Sequence, residues 1–278
     1  MNNLFTKVLL IVCLISLIKQ SQAQDVDSTE LKWTMLPDTH LVPLFTADSR
    51  AHRLSIQKPF NDNGYIGSMG GIFPVFTVTN NKTAFQLSAA STVYTTLRRW
   101  TDRGRLINVD FFVDIFGDLK LSEQWAIRGG VGHTSQHLSD DAVVDEGKTP
   151  INYTRDYGQL FGVYNSTQHN FRAYAGLTFN TNFKTTRSLG PILIPQIGWE
   201  HSVFKWKSNN YLYYAFDIKW RGELNYRTIQ NYQIGYKYSM PYKHTLRFAI
   251  NHSRGLDERG QFYTETRNFS TIGLFFDF

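Results

Sequence analysis

A period of two constrains this chain more than any other feature. Between Ile107 and Ile115, Ile107, Val109, Phe111, Val113 and Ile115 share one side, with Asn108, Asp110, Phe112 and Asp114 opposite. Between Tyr211 and Glu223, Leu212, Tyr214, Phe216, Ile218 and Trp220 form an apolar face opposite Asp217, Lys219, Arg221 and Glu223. The pattern recurs at 85–98, 171–180, 193–203 and 246–250. Successive side chains of a strand point to opposite faces, so each segment builds one oily and one polar sheet surface. Strands of about ten residues, apolar outside and polar inside, characterise membrane β-barrels. Beyond the first 23 residues no run is long and apolar enough for a membrane helix. Aromatic residues make up 15% and charged residues 19% of the chain, which excludes a disordered polyelectrolyte.

The expected fold is therefore all-β: a transmembrane antiparallel up-and-down barrel of about 12 strands. The strands are expected at 50–58, 65–78, 84–98, 105–117, 119–133, 152–165, 171–182, 191–205, 211–222, 226–238, 243–253 and 267–278. Every second connection is short and rich in Asn, Asp, Gly, Ser or Pro, as in Asn80-Asn81-Lys82 and Ser208-Asn209-Asn210. The two longest, 134–151 and 254–266, belong to the other set. Bacterial barrels keep short turns at the periplasm and long loops outside, which places both termini at the periplasmic face. Pro74, amid several glycines, predicts a bulge in the second strand. Glu123 falls on the apolar side of 119–133, so either that strand starts later or Glu123 lies at the interface.

Three segments follow. Residues 1–23 read as a cleaved signal peptide: Lys7, an apolar run from Val8 to Ile18, then Ser21-Gln22-Ala23. Residues 24–49 read as a periplasmic pre-barrel segment whose Trp33, Leu36, Leu41, Leu44 and Phe45 pack under the barrel. Residues 50–278 are the barrel. The expected location is the outer membrane of a Gram-negative bacterium. The partners are outer-membrane lipids, lipopolysaccharide and, during biogenesis, the barrel assembly machinery, which would read the terminal Phe278. The basic residues form no single run, so nucleic acid is not expected. The polar face carries charges of both signs, among them Asp110, Asp114, Arg128, Arg172, Lys219 and Arg247. A lumen filled by ion pairs and side chains is favoured over a narrow pore, because a wide channel needs more strands.

One segment suggests chemistry. His133, Ser135 and His137 share a parity at the outer end of a strand, on the lipid side with Trp125, Ile127 and Val131. A histidine beside a serine can take its proton and create a nucleophile, and a third group must orient that histidine. Asn152 and Asp156 are the candidates for this role, although alternation puts them on the lumen side. Asp140, Asp141, Asp145 and Glu146 in the following loop are weak candidates for Ca²⁺, the one cofactor considered. Arg98, Arg99, Arg103 and Arg105 flank one outer turn, where they would meet lipid phosphate.

His133-Thr134-Ser135-Gln136-His137-Leu138-Ser139-Asp140 resembles a segment of a family of uncharacterised Gram-negative outer-membrane barrels, a domain of unknown function. So do Pro43 to Arg50, Asn152 to Tyr157 and Gly260-Gln261-Phe262. That resemblance implies location and fold and no established activity. The His133-Thr134-Ser135 segment also resembles, more locally, outer-membrane lipases and lipid A deacylases, which implies an outer-leaflet ester hydrolase. Those enzymes carry Asn after the serine, where this chain has Gln136. The expectation is a barrel that is structural or lipid-interacting; a lipid hydrolase using His133 and Ser135, or a narrow channel, are the alternatives.

Overall fold

The computed structural model describes residues 31–100, 103–184, 188–189, 192–240 and 244–278, without the side chains at 99, 100, 103, 188 and 189. The signal-peptide segment, 1–23, lies outside the described residues. The strands are β1 (Lys32–Met35), β2 (Leu54–Pro59), β3 (Gly64–Thr79), β4 (Ala84–Trp100), β5 (Arg103–Lys120), β6 (Trp125–Leu138) and β7 (Thr154–Ser166). They continue with β8 (Phe171–Lys184), β9 (Ser188–Leu189), β10 (Ile192–Trp206), β11 (Asn210–Arg221), β12 (Arg227–Ser239), β13 (Thr245–Leu256) and β14 (Thr266–Asp277). A short helix, α1 (Asp140–Val144), sits in the long β6–β7 loop, capped by Ser139.

Each barrel strand pairs antiparallel with the next, with β10 following β8, and β14 returns to β2 to close the wall. All twelve expected strands are present. Closure leaves the twelve-position wall without a free end, which a sheet at membrane depth requires. Met69, Phe111, Val131, Leu160, Leu177, Ile234 and Leu274 project outward as part of an exposed apolar belt. Asp110, Asp114, Arg128, Asp217 and Arg247 point inward and are buried.

The expected bulge at Pro74 is present as a register shift against β4. Glu123 lies in a turn beside Lys120, 2.9 Å away, because the sixth strand begins only at Trp125. Ile107 departs from the lipid face to which alternation assigned it. A bulge opposite Thr96 and Leu97 turns it inward, where it packs with Ala142 of α1 and Phe262.

The largest departure concerns the segment before the barrel. β1 and β2 both pair with the edge of β3 that β4 leaves open: Lys32–Met35 against Phe76–Thr79, and Ser55–Gln57 against Ile66–Ser68. The first wall position is thus shared by two short strands. Of residues 36–53 between them, His40 meets the carbonyl of the terminal Phe278, and from about Leu41 onward the chain runs inside the barrel rather than underneath it. Phe45 stacks on Tyr174, ring centroids 3.7 Å apart, and meets Phe161 edge-on at 5.3 Å. The Arg128 and Arg172 guanidiniums donate to the carbonyls of Val42 and Leu44, each at 2.7 Å. Arg53 donates to the carbonyls of Phe45, Thr46 and Asp48 at 2.8–2.9 Å. Irregular backbone is stable at this depth only when its polar groups find such partners.

At Gly255, φ is +110°, a conformation that favours glycine, and an added Cβ would press on the Thr228 carbonyl. Gly255→Ala is expected to destabilise the β12–β13 pairing by about 1–3 kcal/mol. Heat-modifiability on gels should read this as a lower unfolding temperature; an unchanged temperature would refute it.

Candidate functional site

The outer rim brings together some of the expected residues, in pairs that alternation did not foresee. β6 keeps its parity through Gly129 and Gly130, so His133, Ser135 and His137 face outward. Ser135 Oγ lies 2.7 Å from His137 Nε2, and the His137 ring meets Phe111 edge-on. His133 bonds instead to Asp156: Nδ1 and Oδ1 are 2.6 Å apart, and Asn182 donates to the other carboxylate oxygen at 3.0 Å. Asp156 is therefore on the lipid side, opposite His133 in the β6–β7 ladder. The inward positions belong to its neighbours, Arg155 and Tyr157, which bond to Glu223 and Asp114. Asn152 is exposed ahead of β7. The Gln136 side chain points inward and accepts from the Gly260 amide.

The geometry thus separates the parts of a hydrolytic triad. Ser135 and His137 form a hydrogen-bonded hydroxyl–imidazole pair, while the carboxylate that could orient a histidine is bonded to His133. The acidic loop is likewise engaged. Asp141 accepts from the Leu106 amide at 3.0 Å, Asp145 lies 3.2 Å from Arg105, and Glu146 lies 2.6 Å from Arg98. Among the described residues no group of three or more ligands has metal-binding geometry. Arg98 and Arg105 thus meet the acids of the next outer loop; the side chains of Arg99 and Arg103 lie outside the described residues. Phe278 packs edge-on against Phe276 at 4.6 Å, and its carbonyl accepts from His40 Nε2 at 2.8 Å.

A second constellation lies in the lumen. Asp48 accepts from Lys219 at 2.6 Å and from Gln196 at 3.0 Å. Arg50 lies 3.1 Å from Asp110, and His52 bonds to Asp114 at 2.6 Å and Thr92 at 2.9 Å. Lys219 also donates to Glu258 of the β13–β14 loop at 2.8 Å. Asp48 and Arg50 fall in the Pro43–Arg50 stretch that carries the family resemblance, but no role is read there for them or for His52. The available signal is the density of charge from Asp48 to Arg53, where the pre-barrel segment runs into the first expected strand.

Between this excursion and the outer loops is a cavity of about 170 Å³, lined in part by Asp48, Tyr153, Arg155, Asn180 and Arg221. At its outer end Glu223, in the β11–β12 turn, accepts from Arg221 Nε at 2.6 Å and Arg155 Nη2 at 2.8 Å. Burial would raise the Glu223 carboxyl, but the two guanidiniums outweigh it and hold it below the usual carboxylate range. In the β13–β14 loop, burial opposes and Arg259 overcomes: Asp257 is also held low.

A closed twelve-strand wall, oily outside and charged inside, defines an outer-membrane β-barrel fold. The chain belongs to a family described as a protein of unknown function (DUF1207), whose model matches residues 17–278. No curated protein matches it. Among solved structures it is similar to the translocator domain of the autotransporter NalP from Neisseria meningitidis, at 10% identity and a TM-score of 0.40, covering 81% of this chain and 86% of that one. It is also similar to the β domain of the Bordetella autotransporter BrkA, at 9% identity and a TM-score of 0.43, covering 81% and 96%. A third is OmpT, an outer membrane protein of Vibrio cholerae, at 8% identity and a TM-score of 0.36, covering 90% and 99%.

The low Glu223 carboxyl has a consequence for pH. A depressed acid binds fewer protons folded than unfolded, so its stabilisation is present above the ordinary value of 4.5 and is lost as pH falls through the folded value. Thermal unfolding in detergent should therefore drop more steeply below about pH 4.5 in the parent than in Glu223→Gln. Parallel pH profiles would contradict this.

Proposed function

We propose that the protein is an integral outer-membrane barrel of a Gram-negative bacterium whose lumen is closed by its own chain, and that it serves as a structural, lipid-contacting element. The observation carrying this reading is the set of bonds between residues 48–52 and the wall: the ion pairs of Asp48 with Lys219 of β11 and of Arg50 with Asp110 of β5, and the hydrogen bond between His52 and Asp114 of β5. Buried pairs of this kind are costly to break, about 3–5 kcal/mol when one partner is lost, so the segment stays in place. Planar-bilayer recordings of the wild type are expected to show no steady conductance. Asp48→Ala with Arg50→Ala should raise step-like openings by tenfold or more. Regular open steps in the wild type would overturn the closure.

Contact with outer-leaflet headgroups is assigned to the outward-facing polar collar of His133, Asp156, Asn182, Ser135 and His137. The arginines of the β4–β5 turn have less support for that role, because Arg98 and Arg105 already face Glu146 and Asp145. The hydrolase alternative has less support too, since among the described residues the Ser135–His137 pair has no carboxylate behind it and Asp156 is bonded to His133. Lipid profiles of cells carrying Ser135→Ala are expected to equal the wild type at equal barrel levels. A lipid species that accumulates only in the variant would restore the enzyme.

A further inference from the structure

We propose that the cavity inside the barrel binds a small organic carboxylate, held by Arg155 and Asn180. Both side chains line the cavity, and both are buried, Asn180 at 1% and Arg155 at 6% exposure. Neither amide atom of Asn180 has a hydrogen-bond partner among the described residues, nor does Nε of Arg155. Buried polar groups are nearly always bonded, so two orphaned donors, Asn180 Nδ2 and Arg155 Nε, on residues that line one cavity point to a ligand acceptor. The charge count agrees. Arg155 and Arg221 share the single carboxylate of Glu223, so at this end of the cavity two guanidiniums stand against one carboxylate among the described residues. A buried charge needs a counter-charge. Tyr153 adds a donor: its hydroxyl accepts from Arg155 and Arg221, leaving its own proton to give.

The walls select the kind of anion. Phe112, Phe116, Phe161 and Ile194 also line the cavity, so a ligand with an apolar body matches them. Two guanidiniums against one carboxylate suit a single further negative charge, and the planar fork of arginine matches a carboxylate. A phosphate dianion would leave charge against an apolar wall. The inference needs the barrel and its cavity but not the proposed closure to ions.

The test is calorimetric titration of the full, heat-modifiable barrel in detergent with benzoate, benzamide and inorganic phosphate. Benzoate is expected to bind, benzamide at least tenfold more weakly, and phosphate not to compete. Asn180→Leu, which changes no charge, should weaken benzoate at least tenfold, and Arg155→Gln should weaken it further. No benzoate binding, equal affinity for benzamide, competition by phosphate, or full affinity in folded Asn180→Leu would each overturn the proposal. The comparison of benzoate with benzamide uses wild-type protein alone, so it stands even if a variant does not fold. Conductance is read separately: a conducting barrel that still bound benzoate would end the closure and leave the carboxylate site.

Discussion

Irregular backbone inside a membrane barrel needs donors, and three guanidiniums supply them. Residues 41–53 have no ladder of their own, so their inward carbonyls would be orphaned among apolar and aromatic groups. Arg128 and Arg172 reach from the wall to Val42 and Leu44, and Arg53 folds back on Phe45, Thr46 and Asp48. A hydrogen bond to a charged group contributes roughly 1.5–3 kcal/mol, and its loss leaves a buried acceptor that costs as much again. These bonds fix where Asp48, Arg50 and His52 stand. The lumenal ion pairs and the cavity above them follow from that position.

The interior is organised as small groups of paired charge. Arg128 takes both oxygens of Asp118, and Arg247 takes both of Asp277 beside the chain end. Lys219 joins three layers, because Asp48 comes from the excursion and Glu258 from an outer loop. Above it, Gln261 holds two long loops together, donating to the carbonyls of Gln136 and Ile151 and accepting from the Ile151 amide. A barrel interior is a dry place for charge, so each charge stands beside one of opposite sign. The groups are not all even: Glu223 has two guanidiniums on one carboxylate, and Lys219 has the carboxylates of Asp48 and Glu258 on one ammonium.

The wall was legible in the sequence because its pattern is local. Leu212, Phe216 and Trp220 need only their own strand to declare a lipid face. Bulges broke the reading where an extra residue reset the parity, as at Ile107, whose apolar side chain gave no hint that it faces inward. Asp156 was misassigned for a related reason: its neighbours Arg155 and Tyr157 are amphipathic residues that fit either face, and the partners that draw them inward, Glu223 and Asp114, lie far away in the chain. The excursion was hidden more deeply. Asp48 and Lys219 are 171 residues apart, and no periodicity records such a meeting. The rim histidines were found by sequence, but their pairing was not, because strand register decides which acid stands opposite His133.

The divided first wall position bears on how the molecule holds together. Residues 36–53 are moored at both ends, by β1 and by β2, along a single edge of β3. β2 leads directly from the lumenal segment into the seam with β14, and β14 runs on to the chain end that Arg247 and His40 hold. Wall and contents are one continuous piece of chain there, so opening that seam also loosens what lies inside.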